Sequence, residues 1–175
     1  MKLIAWSVFV AILSAGSVTG AQQQPSSTPR PTSVGTQVDG FMTTMYPNLR
    51  RYLIAAVEKM PEDAMLLKPS DGARTFAATV THVGVSNLAM CRGAAGSPLP
   101  REEQAELLKI TDKAGLLKLL RDGFAACDPI FASPGDERAA FTRATLSVHG
   151  WEVYGTMAVY LRMKGIVPPS SDGSK

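Results

Sequence analysis

The sequence predicts an all-α protein, a bundle of four long helices. Three observations carry this. Apolar residues recur at three and four positions through four separate stretches, no stretch alternates with the period of two that a strand shows, and Gly and Pro clusters fall between the periodic stretches. With 175 residues the chain is long enough for one domain with a sizeable core.

Met1-Lys2 precedes an apolar run from Leu3 to Leu13, and small and polar residues continue to Ala21. A positive end, a short apolar centre and a small-residue region have the order of a secretory signal peptide, so residues 1–21 are expected to be removed on export to the periplasm or the medium. The run is too short for a retained span, which needs about 20 apolar residues. Residues 22–37 are mostly Gln, Pro, Ser and Thr, with too little apolar surface to offset the entropy of ordering them, and are expected to form a disordered tether. The bundle then occupies residues 38–169, and residues 170–175 form a loose tail.

The first helix is expected from Val38 to Met60, on the row Met42, Met45, Leu49, Tyr52, Ala56 and Met60, with Pro47 as an irregularity. Pro61 ends it. The second starts after the N-cap Thr75 and runs to about Arg92, with His82 beside the apolar row of Phe76, Val80 and Val83. Gly93, Gly96, Pro98 and Pro100 stop it, and residues 101–109 can form a short helix inside the long connection that follows. A connection of this length permits its flanking helices to run parallel. The third helix opens at Thr111 or Asp112 and shows Leu116, Leu120, Phe124, Cys127 and Phe131 on one side, weakening at Asp128-Pro129. The fourth runs from about Asp136 to Lys164. There Gly165 is expected in the left-handed conformation, with Ile166 folding back onto Leu161 and Pro168 preventing resumption.

The formal net charge is +3, of which Lys2 falls in the removable segment, and the largest basic cluster is Arg50-Arg51. No Lys or Arg stripe is interleaved with aromatics, so a nucleic-acid partner is not expected. Phosphate-binding glycine loops, dinucleotide fingerprints and nucleophile elbows are absent from the sequence. The chain has two cysteines, Cys91 and Cys127. In an exported protein they are expected to pair, the alternative being two buried free thiols; the bond requires parallel second and third helices, because each cysteine lies near the C-terminal end of its helix.

The stretch His149-Gly-Trp-Glu152-Val153-Tyr154-Gly155, followed by Tyr160-Leu-Arg162-Met-Lys-Gly165-Ile-Val-Pro-Pro169, resembles the last helix of the DinB-like superfamily, especially its exported members. The likeness extends upstream through His82 and Cys91 to Cys127-Asp128. It implies an up-down-down-up bundle with the long connection between helices two and three. It also implies a divalent metal, zinc, nickel or iron, held by three histidines: one on the second helix and two at i and i+4 on the fourth. His82 and His149 match two of these positions, and Val153 occupies the third. Tyr160 and Arg162 belong to the same signature; Arg162 lies off the His149 face and reads as an anchor to a neighbouring helix or loop.

Two function classes follow. One is a metal-dependent hydrolase or thiol transferase acting on a small molecule or thiol with an incomplete histidine triad. The other is a non-catalytic periplasmic bundle, binding or structural, that has lost its metal site, with His82 and His149 as hydrogen-bonded core residues. Homodimerisation stays open in both.

Overall fold

A computed structural model describes residues 34–133 and 136–173. The expected signal peptide and residues 22–33 of the expected tether lie outside the described residues. Five α-helices and no strand occur among the described residues: α1 Val34–Lys59, α2 Phe76–Ala94, α3 Arg101–Leu107, α4 Lys113–Phe131 and α5 Glu137–Met163. None of these helices is long and apolar enough to cross a membrane.

Local chemistry explains most of the boundaries. The N–H groups of a helix's first turn lack intrahelical acceptors, and α2 finds one for each of its first three: Phe76 donates to the Leu67 carbonyl, Ala77 to the Met65 carbonyl and Ala78 to Thr75 Oγ1. The connection from Pro61 to Arg74 is thereby strapped to the start of α2. Asp112 caps α4 by accepting from the Gly115 N–H at 2.8 Å. At the end of α5, Gly165 has φ +72°, its N–H donates to the Arg162 carbonyl, and the Ile166 N–H reaches back to the Leu161 carbonyl at 2.9 Å. That is the Schellman pattern read from the sequence.

Three boundaries differ from expectation. α1 begins at Val34, inside the stretch expected as a tether, and passes through Pro47; Pro47 is exposed, so its ring displaces no packed side chain. α4 continues past Pro129 to Phe131, closed by the Ala132 N–H on the Asp128 carbonyl. The tail is held as far as Asp172: Pro169–Ser171 form a 3-10 turn, the Ser170 N–H donates to the Tyr154 hydroxyl at 2.7 Å, and Lys59 pairs with Asp172.

α4 packs most extensively on α2. Cys91 and Cys127 form a disulfide with α-carbons 5.1 Å apart, joining the C-terminal ends of these two helices. Farther back, a β-carbon on Gly123 would come within 3.0 Å of the Gly84 carbonyl oxygen and 3.1 Å of Asn87 Cβ, so glycine sets the approach of the two backbones. On the other side of the bundle α1 meets α5 in the same chain order, Asp39 with Arg143, Tyr52 with Tyr154 and Lys59 with the Val167 carbonyl. Between α1 and α4 the order reverses, Tyr46 meeting Asp128 and Glu58 meeting Arg121. The core fills the space between the four long helices with Leu53, Phe76, Leu116, Phe124, Met157 and Tyr160. A smaller cluster of Val85, Leu88, Leu99 and Leu119 lies under the chain entering α3.

Among the described residues one charged pair is buried. Arg143 is fully buried and all five of its N–H groups are used: two on Asp39, and the others on the carbonyls of Ile130, Ser133 and Asp136. A buried guanidinium is tolerable only with this degree of satisfaction. It fixes the first turns of α1 and α5 and the α4–α5 connection to one another.

Candidate functional site

The helix pairing brings the two histidines together. His82 on α2 and His149 on α5 face each other with ring centroids 4.8 Å apart and planes tilted by 32°. His149 Nδ1 is buried and has no hydrogen-bond partner among the described residues, which at about 1–3 kcal/mol is a costly way to leave a ring nitrogen. Desolvation, then the positive charge of Arg74 and the neighbouring His149, lower the His82 pKa below its ordinary value, and Glu152 opposes them. His82 is therefore held toward its neutral form, the form that accepts a hydrogen bond or ligates a metal.

One turn along both helices is a cavity of about 170 Å³ between α2, α5 and the connection that precedes α2. Thr79, Glu152, Val153, Thr156, Tyr160 and Arg74 are among its lining residues. Neither imidazole lines it. Its shape depends on Tyr160, which is buried, packs edge-on to Phe76 and donates its hydroxyl to the Arg74 carbonyl at 2.6 Å. The signature tyrosine thus pins the connection that delivers Arg74, a residue whose irregular loop gave no periodic signal. Glu152 is exposed at the mouth of the cavity.

Val153 is only 4 % exposed and belongs to the core. It supplies no donor, so the donor set here is two imidazoles. Among the described residues no group of three or more His, Cys, Asp or Glu side chains could hold a metal ion. Catalytic zinc takes three protein ligands, and the residues present do not make up that set. Arg162 is exposed, and its guanidinium donates to Ser171 Oγ at 3.4 Å, in the 3-10 turn that follows its own helix. Cys91 lies nine positions beyond His82 on α2, roughly 13 Å along the axis, so the disulfide supports the bundle at a distance from the imidazoles. Trp151 and Tyr154 pack with Tyr52 in an aromatic cluster on the α1 side of α5.

A second polar cluster was not anticipated. The Tyr46 hydroxyl lies 3.0 Å from both the Phe124 carbonyl and Asp128 Oδ1, and Arg50 pairs with the same carboxylate at 2.9 Å. Burial, followed by the charge of Asp128 and the hydrogen bond to it, pushes the phenol pKa far above its ordinary value. It remains a neutral donor that ties α1 to α4.

The family model for the DinB superfamily matches residues 46–159, which takes in both histidines, Val153 and the disulfide, and stops one residue short of Tyr160. No curated protein and no solved structure matches the chain.

Proposed function

The chain belongs to the DinB superfamily, and from that premise we propose that it is an exported DinB-type bundle whose metal centre has been reduced to a pair of imidazoles. In this reading it is a binding or structural module of the periplasm. The observation that carries it is Val153: a buried aliphatic side chain stands one helical turn from His149, where the family resemblance places the third histidine. The small cavity beside it suits a few polar atoms of a ligand, being below the roughly 300–1,000 Å³ of ordinary small-molecule sites. Arg74, Thr79 and Glu152 would make the polar contacts there, and Tyr160 would hold the loop in place.

Export is supported by the order of residues 1–21 and by the Cys91–Cys127 bond, because disulfides persist in oxidising compartments. The up-down-down-up order of the four long helices belongs to the same reading. It is supported by the matched C-terminal ends of α2 and α4, by the same-order contacts of α1 with α5, and by the reversed contacts of α1 with α4.

A metal-dependent hydrolase or thiol transferase is the second reading, favoured by the partnerless His149 Nδ1 beside a His82 kept toward neutrality. Metal content separates the two. Protein purified without an affinity tag is expected to contain no stoichiometric zinc, nickel or iron, and to take up none on soaking. Stoichiometric metal that is lost on replacing His82 or His149 would overturn the first reading in favour of the second.

A further inference from the structure

The first turns of α1 and α5 lie side by side, joined by the Asp39–Arg143 pair, and present an apolar surface. Phe41 is 60 % and Phe141 77 % exposed, with Val34, Val38 and Val148 also exposed on these turns. Between the helices the surface sinks into a groove of about 400 Å³ lined by Phe41, Met42, Met45, Ser147, Val148 and Trp151. The five exposed side chains offer roughly 600 Å² of apolar area, the upper end of what the surface of a monomer carries and a large part of the roughly 800 Å² that each partner of a stable complex buries. Ser147 Oγ, beneath this surface, has no hydrogen-bond partner among the described residues.

Charge is nearly absent. From Val34 to Leu49 the sequence has one ionised side chain, Asp39, and from Ala139 to Trp151 the only Lys, Arg, Asp or Glu is Arg143. These two neutralise each other. Neither stretch carries a lysine or an arginine other than the paired Arg143, so neither offers the charge that attracts an anionic lipid surface.

With residues 1–21 removed, as the proposed export requires, the stretch next to this face offers little apolar surface to cover it. Residues 22–33 are Gln, Pro, Ser and Thr with one Arg. At the other terminus Asp172 is held by Lys59. Lys59 is 18 positions from Phe41, roughly 27 Å along α1, so the segment held there lies far from this face.

The face is also self-complementary. Phe141 projects as a knob, and seven residues along the same helix, roughly 10 Å away, Val148 borders the groove. A twofold axis between them places each knob opposite the other copy's groove, the arrangement an isologous interface requires. We propose that a second copy of this chain covers the α1/α5 face, each Phe141 entering the groove formed by Met42, Met45, Val148 and Trp151 of the other.

The test is sedimentation velocity on protein recovered after expression of the full chain, with the N-terminus read by mass spectrometry, for the parent, Phe141→Glu and Val148→Lys. Both positions are solvent-exposed, and circular dichroism checks that helical content is kept. The parent is expected as a dimer, each variant as a monomer with self-association weakened by about 30-fold or more. An equimolar mixture of the two variants is expected to restore the dimer. Across one contact the introduced carboxylate then meets the introduced ammonium, and across the other the native Phe141 knob fills the native groove. A parent that stays monomeric, or variants that both stay dimeric, would overturn the proposal. So would a monomeric parent that floats with phosphatidylcholine vesicles, an outcome that assigns the face to lipid.

Discussion

Reduction of the Cys91–Cys127 bond offers a perturbation whose size follows from the chain's connectivity. Both cysteines are buried, so reduction opens no cavity, and the two sulfur atoms move apart only from bonding to van der Waals distance. The native contacts around the bond do not depend on it, because Leu119 and Gly123 still pack on Gly84 and Asn87. The effect therefore acts through the unfolded chain. A cross-link over a sequence separation of 36 removes loop-closure entropy worth about 3.8 kcal/mol at 25 °C, a large share of the roughly 5–15 kcal/mol by which domains are stable. Urea unfolding followed by circular dichroism, with and without reductant, is expected to show a loss of about 3–4 kcal/mol. The slope should be steeper after reduction, since the released unfolded chain exposes more surface. Thermal unfolding should shift downward by roughly 10 °C. A loss below about 1 kcal/mol would refute the argument that the bond works by constraining the unfolded chain. Alkylation of both thiols in unreduced protein would remove the bond itself.

Val153→His should create a divalent-metal site with His149 one turn away and His82 across the interface. The cavity lined by Val153 gives the larger ring space, and calorimetry should show zinc binding at least about tenfold tighter than in the parent. Gly165→Ala should cost about 1 kcal/mol in chemical denaturation; no atom lies within 4 Å of the added β-carbon, so the cost comes from the positive φ alone. Asp39→Asn should cost about 3 kcal/mol by the same measurement, because it strands the fully buried guanidinium of Arg143. The lowered pKa of His82 means that the unfolded chain binds its proton first as the solution is acidified. Its effect is absent above the ordinary histidine value of about 6.5, and stability falls as pH drops from there toward the lower folded-state value. A thermal series from pH 7.5 to pH 5.5 should show this decline, and His82→Gln should flatten it.

What could be read from the sequence was what is encoded locally. Thr75 and Asp112 announce their helices because a side-chain oxygen must meet an N–H three residues on, and Gly165 announces an end because a left-handed turn favours glycine. The meeting of Cys91 with Cys127, and of His82 with His149, was accessible through chain order and the family resemblance. The features that were missed depend on long-range contacts with backbone or single side chains. Arg143 looks like any charged helix residue until Asp39 and three carbonyls surround it. Tyr160 reaches the Arg74 carbonyl across 86 residues, and the tail is held by Tyr154 and Lys59, which no periodicity connects to it. The helical start of α1 was missed for a different reason. Gly35, Thr36 and Gln37 suggest a loose chain, yet the helix that Arg143 holds at Asp39 extends back to Val34.

The same-direction pairing of α1 with α5 has a mechanical consequence. Their contacts run in step from Asp39 with Arg143 to Lys59 with Val167, so the N-terminal end of α1 and the C-terminal end of α5 lie at opposite ends of one seam. Tension between these two ends loads the contacts along that seam together, in shear, and does not peel them apart one after another. The 35 residues between Cys91 and Cys127 are outside the line of force while the bond is intact. Roughly 120 Å of chain is thereby kept in reserve, to be released only if the bond is cut. Pulled from these two ends, the bundle would meet the force with its stiffest arrangement and would lengthen in two steps set by the redox state around it.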